Sequence, residues 1–325
     1  MILKNMLSKL YPKVYVGIVS SSVSTVVCIE LYKKDKLIQS QTKTFTTQEM
    51  TRKLLDFITP FKKESPFFYI SLLDNTTSQG VLFECDKEDN KSMANTVSTV
   101  CHGSWSSYTL TDELRELEQE YADVDIDFIF SPFTVLSNIF SEKKTQDKAM
   151  LFVLLQEDLI VVSIFHLDKL LYGDVISMAD VIEDEELDEI AEDDDAQTMQ
   201  MQETFDLDDL DDLNLDDLSD LKDSESFDDL EDFAQTQDVP QEEKHDLTTS
   251  SNDYKRFLVI QNSLHNFYSN SKYASEFVET AYVASFCKLE NDFKQYIEDE
   301  LFLTVYVRSV ELCCEVISLA KEESL

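Results

Sequence analysis

The chain is poor in the residues that shape tight ligand cradles: its 325 residues include only four glycines, Gly17, Gly80, Gly103 and Gly173, and five prolines. Loops that wrap a phosphate need glycine, because backbone N–H groups must approach the anion closely and often at positive φ. No P-loop, GxSxG elbow or HExxH helix is present. Basic residues are scarce as well, with 27 Lys and Arg against 66 Asp and Glu and a formal net charge of −39. That field argues against direct nucleic-acid binding, which needs clustered cations to release counterions, and against an anionic membrane surface. No run approaches the roughly 20 apolar residues of a membrane span; Met150 to Phe165 is interrupted by Gln156-Glu157-Asp158. The opening MILKNMLSKLYPK has no long apolar core and no small-residue cleavage site. It is expected to be a tucked-in segment or a short amphipathic anchor, not a secretory signal. The expectation is a cytoplasmic protein.

Ligands for metals and groups for acid–base work are thin too. The six cysteines, Cys28, Cys85, Cys101, Cys287, Cys313 and Cys314, form no CxxC pair, and the four histidines are scattered. Metal sites want these residues at ligand spacing, so reduced, mostly buried thiols and no metal are expected. Glu157-Asp158 is a carboxylate pair in a hairpin turn, where solvated turn chemistry explains it. His166 ends an apolar strand and reads as a satisfied or edge histidine. His102 lies near Cys101 and Trp105, but one Cys and one His make no metal or redox site, and Trp105 with Tyr108 reads as a loop anchor. No catalytic residue is assigned.

What is present is a repeated strand pattern. Val14–Val19, Thr25–Tyr32 and Leu37–Phe45 read as three strands, with Lys33-Lys34-Asp35 turning the second into the third. A helix from Thr47 to about Phe61 follows, with Thr46 and Glu49 as a capping box, and then a buried strand, Phe67–Leu73. A second set opens with Ala149–Leu155, Leu159–His166 and Leu170–Met178. Asp35-Lys36-Leu37-Ile38 matches Asp168-Lys169-Leu170-Leu171 at the second turn of each set, which points to an internal duplication. Between the sets, Thr111–Tyr121 reads as a helix, Ile126–Phe130 as a strand, and Ser131-Pro132 as the start of a helix to about Phe140. Later, Tyr254–Tyr268, Asn291–Glu300 and Val310–Glu323 read as helices, and Ala281–Phe286 and Thr304–Val307 as strands. The fold class inferred is α/β, with two β-β-β-α-β halves. The domains are residues 1–146, then 147–178 with 253–325, and an acidic insertion over 179–252.

Val16-Gly17-Ile18 followed by Ser20-Ser21-Ser22-Val23 resembles the V-G-I-D-I-G-S-S-S-V opening of the PilM-like pilus-assembly proteins and the GspL-like cytoplasmic domains of secretion platforms. The hairpin from Ala149 to Met178 resembles the family's second-half opening, and Ser263–Tyr268 with Tyr282–Val307 resembles its closing region. The resemblance implies an actin/Hsp70-like fold, with two duplicated halves around a cleft. ATP-binding members place an acidic residue and glycines in the first loop, an Asp-x-Gly in the other hairpin and a glycine-rich adenosine turn. Here those positions read Val19-Ser20-Ser21-Ser22, Gln156-Glu157-Asp158 and Ser285-Phe286-Cys287-Lys288. Gly17, Ser20, Ser21 and Ser22 are therefore a residual phosphate loop at most. The resemblance implies a non-catalytic scaffold of a type IV pilus, type II secretion or competence-type platform. Its partner would be a membrane-anchored protein, which would hold it at the inner membrane; the oligomeric state stays open. An ATPase with non-standard phosphate loops, with ATP as cofactor, is the alternative.

The charge is concentrated. Asp180 to Asp246 holds 30 acidic residues and two lysines, leaving 36 acidic and 25 basic residues for the rest. Within it, Asp206–Leu221 alternates aspartates with Leu207, Leu210, Leu213, Leu215, Leu218 and Leu221, next to Phe205. Like-charge repulsion and the capping preference of Asp oppose a free helix. The segment is expected to be disordered alone and to fold on a basic or amphipathic partner surface. An inert solubilising loop, or an acidic chaperone-like module, are the other readings. A Ca²⁺ site would need glycine-punctuated ligands that the segment lacks.

Overall fold

The computed structural model of the chain describes residues 11–46, 50–83, 97–181, 251–273, 275–290 and 292–324. The first half opens with β1 (Lys13–Ser20), β2 (Ser24–Lys33) and β3 (Lys36–Thr46), an antiparallel meander. Helix α1 (Met50–Glu64) crosses to β4 (Phe67–Leu73), which lies parallel to β1. After a small excursion come α2 (Thr111–Glu120), β8 (Phe128–Phe130), parallel to β4, and α3 (Pro132–Ile139). The sheet order is β3-β2-β1-β4-β8.

The second half repeats this plan. Strands β9 (Ala149–Leu155), β10 (Leu159–His166) and β11 (Lys169–Ser177) form the meander. Helix α4 (Asn252–Ser269) leads to β12 (Val278–Ser285), α5 (Phe293–Leu301), β13 (Thr304–Ser309) and α6 (Leu312–Glu323). Its order, β11-β10-β9-β12-β13, matches the first sheet position for position. The duplication reaches the turns: Lys34 and Asp35 in one hairpin and Leu167 and Asp168 in the other all have φ between 50° and 64°. Two successive positive φ values match the twist of a two-residue hairpin.

Both faces of each central strand are buried, which is why they read as unbroken apolar runs. In β1, Val14, Val16 and Ile18 face one core with Leu54 and Ile58 of α1. Tyr15 and Val19 face another, shared with Met150, Phe152 and Leu154 of β9. On β9 the alternate residues Leu151, Val153 and Leu155 meet Phe257 and Ile260 of α4 and Ile297 of α5. The layers run helix, sheet, helix, sheet, helix, and the central helices are α3 and α6. Helix α6 follows the second half in sequence but packs on β1, β2 and β4, whereas α3 follows the first half and packs on β9 and β10. Each half thus closes the other's inner face.

Three short strands, β5 (Gln79–Leu82), β6 (Val97–Cys101) and β7 (Ser106–Leu110), form a separate sheet of order β5-β7-β6. It sits in the excursion after β4 and contacts β11. Gly173 of β11 gives the room for this: a Cβ there would lie 2.7 Å from Val81. Trp105, buried at the base, lies 4.4 Å from the tilted His102 ring and meets Phe165 edge-on, so it anchors this loop. Cys28, Cys287, Cys313 and Cys314 are free thiols. Cys101 is disulfide-bonded, which corrects the expectation of reduced thiols throughout; it ends an exposed strand rather than sitting in a core. Among the described residues no helix is long and apolar enough to cross a membrane. The capping residue Glu49 and the acidic stretch with Phe205, Leu207, Leu210, Leu213, Leu215, Leu218 and Leu221 lie outside the described residues.

Candidate functional site

The turns that end β1 and β9 face each other across the two halves, because the repeat places both at the same end of matched sheets. Between them lies a cavity of about 330 Å³, lined by Ser20, Ser21, Ser22, Asn75, Tyr121, Gln156, Glu157, Asp158 and Phe286 among others. Of the four residues read as a residual phosphate loop, the structure brings three to this cavity. Gly17 is elsewhere. It sits in mid-strand under α6, where a Cβ would lie 2.4 Å from the Cys313 carbonyl oxygen. Its role is close helix–strand approach, and the sequence reading that placed it in a phosphate loop is corrected.

The hydrogen bonds of the three serines are already taken. Ser20 Oγ bonds Thr25 Oγ1 at 3.0 Å and the Tyr121 hydroxyl, while its carbonyl accepts from Asn75 Nδ2. Burial pushes the Tyr121 phenol up to about 12, so it stays a neutral hydroxyl. The Ser21 N–H and Oγ both donate to the Ser24 carbonyl, at 2.7 and 3.0 Å, and Ser24 N–H donates back to Ser21 Oγ at 3.1 Å. Ser22 reaches across the cleft: its N–H donates to Asp158 Oδ2 at 2.5 Å and its Oγ to Asp158 Oδ1 at 2.8 Å. Asp158 is itself held, since its carbonyl accepts from Met178 N–H at 2.8 Å. A two-oxygen anion supplied by the protein therefore occupies a backbone N–H and hydroxyl of the first loop. Glu157-Asp158 was expected to be solvated turn chemistry; Asp158 instead makes a specific bridge.

The charge of the cleft agrees. Among the described residues the cavity wall carries Glu120, Glu157 and Asp158 and neither Lys nor Arg. A second cavity is also lined by Glu157 and Asp158. Its lining also includes Lys288, Arg256, Asp253 and Glu290. Arg256 is buried in an ion pair with Asp253, whose other oxygen accepts Glu290 N–H at 2.6 Å. The turn expected at the adenosine position does reach the cleft: Phe286 lines the first cavity, and Cys287 and Lys288 the second. Two polar atoms in the first cavity wall have no partner among the described residues, Gln156 Nε2 and Asn75 Oδ1. Sequence reasoning missed Asn75 and Tyr121, because nothing local ties either residue to Ser20.

The remaining titratable groups are structural. His102 is lowered to about 4 by burial and the nearby Lys144 charge, and bonds Ser107 and Thr134 as a neutral ring. Burial raises the Asp74 carboxyl, which accepts from Thr76 and Thr109. No cluster of three or more metal-ligating side chains occurs among the described residues.

Residues 151–324, more than half of the chain, match the model of a domain of unknown function, DUF8341. The chain belongs to the DUF8341 family. Residues 11–137 of this DUF8341 protein match a second domain of unknown function, DUF8569. No curated protein matches it. Among solved structures, it is similar to a Bacteroides thetaiotaomicron protein with an actin-like ATPase fold and unknown function. The two share 11% identity over 98% of each chain, with a TM-score of 0.50. A PilM-PilN type IV pilus biogenesis complex aligns at 9% identity over 90% of this chain and 88% of that one, TM-score 0.49. The activator of 2-hydroxyisocaproyl-CoA dehydratase from Clostridium difficile, with bound ADPNP, aligns at 8% identity over 96% and 97%, TM-score 0.42. At such identities the likeness shows a fold alone, and that fold is actin-like.

Proposed function

We propose that this chain is a non-catalytic, actin-fold scaffold that works through protein contacts. The observation that carries the reading is the Ser22–Asp158 bridge. In a nucleotide-binding cleft the donors of the first loop would be free to meet phosphate. Here an internal carboxylate engages them, beside two further carboxylates and, among the described residues, no cation in the cavity wall. A triphosphate entering would have to displace Asp158 and then face that charge at short range. Glycine, which would let the loop adapt, is absent from both turns. The proposed setting is a pilus-assembly, secretion or competence-type platform, with a membrane-anchored protein as partner. It rests on the likeness of Val16–Val23 and of the second-half hairpin to the PilM-like and GspL-like proteins.

A ligand-binding reading is favoured by one observation, the unpartnered Gln156 Nε2 and Asn75 Oδ1 in the cavity wall. Thermal unfolding with increasing Mg-ATP, alongside a phosphate-release assay, separates the two. The scaffold reading expects no saturable rise in melting temperature and no turnover. A saturable rise, which binding to the native state alone produces, would sink it.

A further inference from the structure

Strand β3 is the outermost strand of the first sheet, and among the described residues nothing pairs with its outer edge. It runs for 11 residues, all exposed except Phe45. Phe45 is pinned against Phe57 of α1 at 5.9 Å, Lys43 lies over both rings, and Thr42 Oγ1 bonds Cys28 Sγ at 3.2 Å. The strand that matches β3 in the second half, β11, is different. Leu170, Leu171 and Tyr172 at its start are buried, and both β5 and α4 lie against it. A bare outer strand is therefore a property of this half and not of the repeat.

Sheet edges are ordinarily guarded by brevity, proline or charge, since their free N–H and C=O groups are a template for another strand. Strand β3 is long and has no proline, and the six residues from Leu37 to Thr42, LIQSQT, carry no charge; its one register irregularity, at Ile38, lies near the start of that run and leaves Gln39–Thr42 in regular pairing with β2. Leu37 and Ile38 are 51% and 57% exposed. Lys36 and Lys43 flank this uncharged run without interrupting it.

The lysines set the sign of what fits. The stretch from Lys33 to Thr46 holds four lysines, Lys33, Lys34, Lys36 and Lys43, and one acid, Asp35. It is a basic hairpin on a chain of net charge −39. Pairing β3 with β3 of a second copy would bring two basic hairpins and two acidic bodies together, which like charge disfavours.

We propose that β3 is a strand-addition site that takes an extended, acidic segment of a partner protein. Main-chain hydrogen bonds along the uncharged run supply affinity, as in other strand-addition complexes, and the lysines select acidic flanks. The site is a sheet edge remote in kind from the cleft, so it stands whether or not a nucleotide binds there.

Hydrogen exchange on the full chain tests it, with two synthetic probes: an alternating Val-Thr peptide flanked by glutamates, and the same peptide flanked by lysines. The glutamate peptide is expected to slow exchange of the β3 amides by about tenfold or more at saturation, an effect that weakens as salt rises. The lysine peptide is expected to do nothing. The double variant Lys34→Glu/Lys36→Glu, in an exposed turn, should exchange these preferences, while the salt series on the unaltered chain needs no variant at all. Equal protection by both peptides, or by neither, overturns the proposal. So does protection without peptide that rises with protein concentration, which would make a second copy the occupant. Protection without peptide that vanishes on deleting residues 183–247 would make the chain's own acidic stretch the occupant, and also overturns it.

Discussion

A methyl group does not fit at Gly17, and the reason is backbone rather than side chain. The nearest atom to a Cβ there is the Cys313 carbonyl oxygen at 2.4 Å, with Ile317 Cγ1 next at 3.0 Å. Gly17→Ala is expected to destabilise the fold by about 1–3 kcal/mol through overpacking, measured by chemical denaturation. Trimming the neighbour with Ile317→Ala should not rescue it, because the clash with the α6 backbone remains. His166 makes a second residue-level prediction. Its Nε2 lies 3.0 Å from Asp147 and its Nδ1 2.6 Å from Glu276, and the hydrogen bonds to these carboxylates raise its pKa above 6.5. Raised folded-state values favour the protonated native form. The stabilisation is therefore complete below pH 6.5 and is lost as pH rises through the higher folded value. Melting curves of the wild type and His166→Asn should converge on going up through that window; a gap that widens with pH would be the wrong sign.

At the scale of elements, α6 is the piece that ties the halves together. The helix was legible in the sequence, and its stripe of Leu312, Cys313, Val316, Ile317 and Ala320 is buried. Which sheet it would cover was not, since helical periodicity gives a face and never its partner. Ile317→Ala is expected to cost about 2–5 kcal/mol and to speed hydrogen exchange in β1 as well as in α6; an effect confined to α6 would contradict the packing described. Legibility elsewhere followed burial. Phe67–Leu73, Ala149–Leu155 and Leu159–His166 were read to the residue, because strands buried on both faces are unbroken apolar runs. Strands β5, β6 and β7 were missed. They are four or five residues each and read QGVL, VSTVC and SSYTL, with too little apolar content to stand out from loop.

At the scale of the whole molecule, the duplication was readable from the matched β-β-β order around a short match at the second turn, and the repeat extends to paired positive-φ residues in the two hairpins. The cleft was half readable. The loss of glycine from both loops showed what the site no longer has. The contact that replaces it joins residues 136 positions apart, Ser22 and Asp158, and no local pattern encodes such a pairing. Strand order brings them together only because the two meanders are stacked in the same sense.

That contact is the direct test of the scaffold reading. The amide resonance of Ser22 reports on whether Asp158 or a phosphate is its acceptor. The account predicts that millimolar Mg-ATP leaves the Ser22 N–H resonance in place in the wild type, while Asp158→Ala moves it without nucleotide. A saturable shift of Ser22 on adding Mg-ATP to the wild type would contradict it, and would return this cleft to the nucleotide-binding members of its fold.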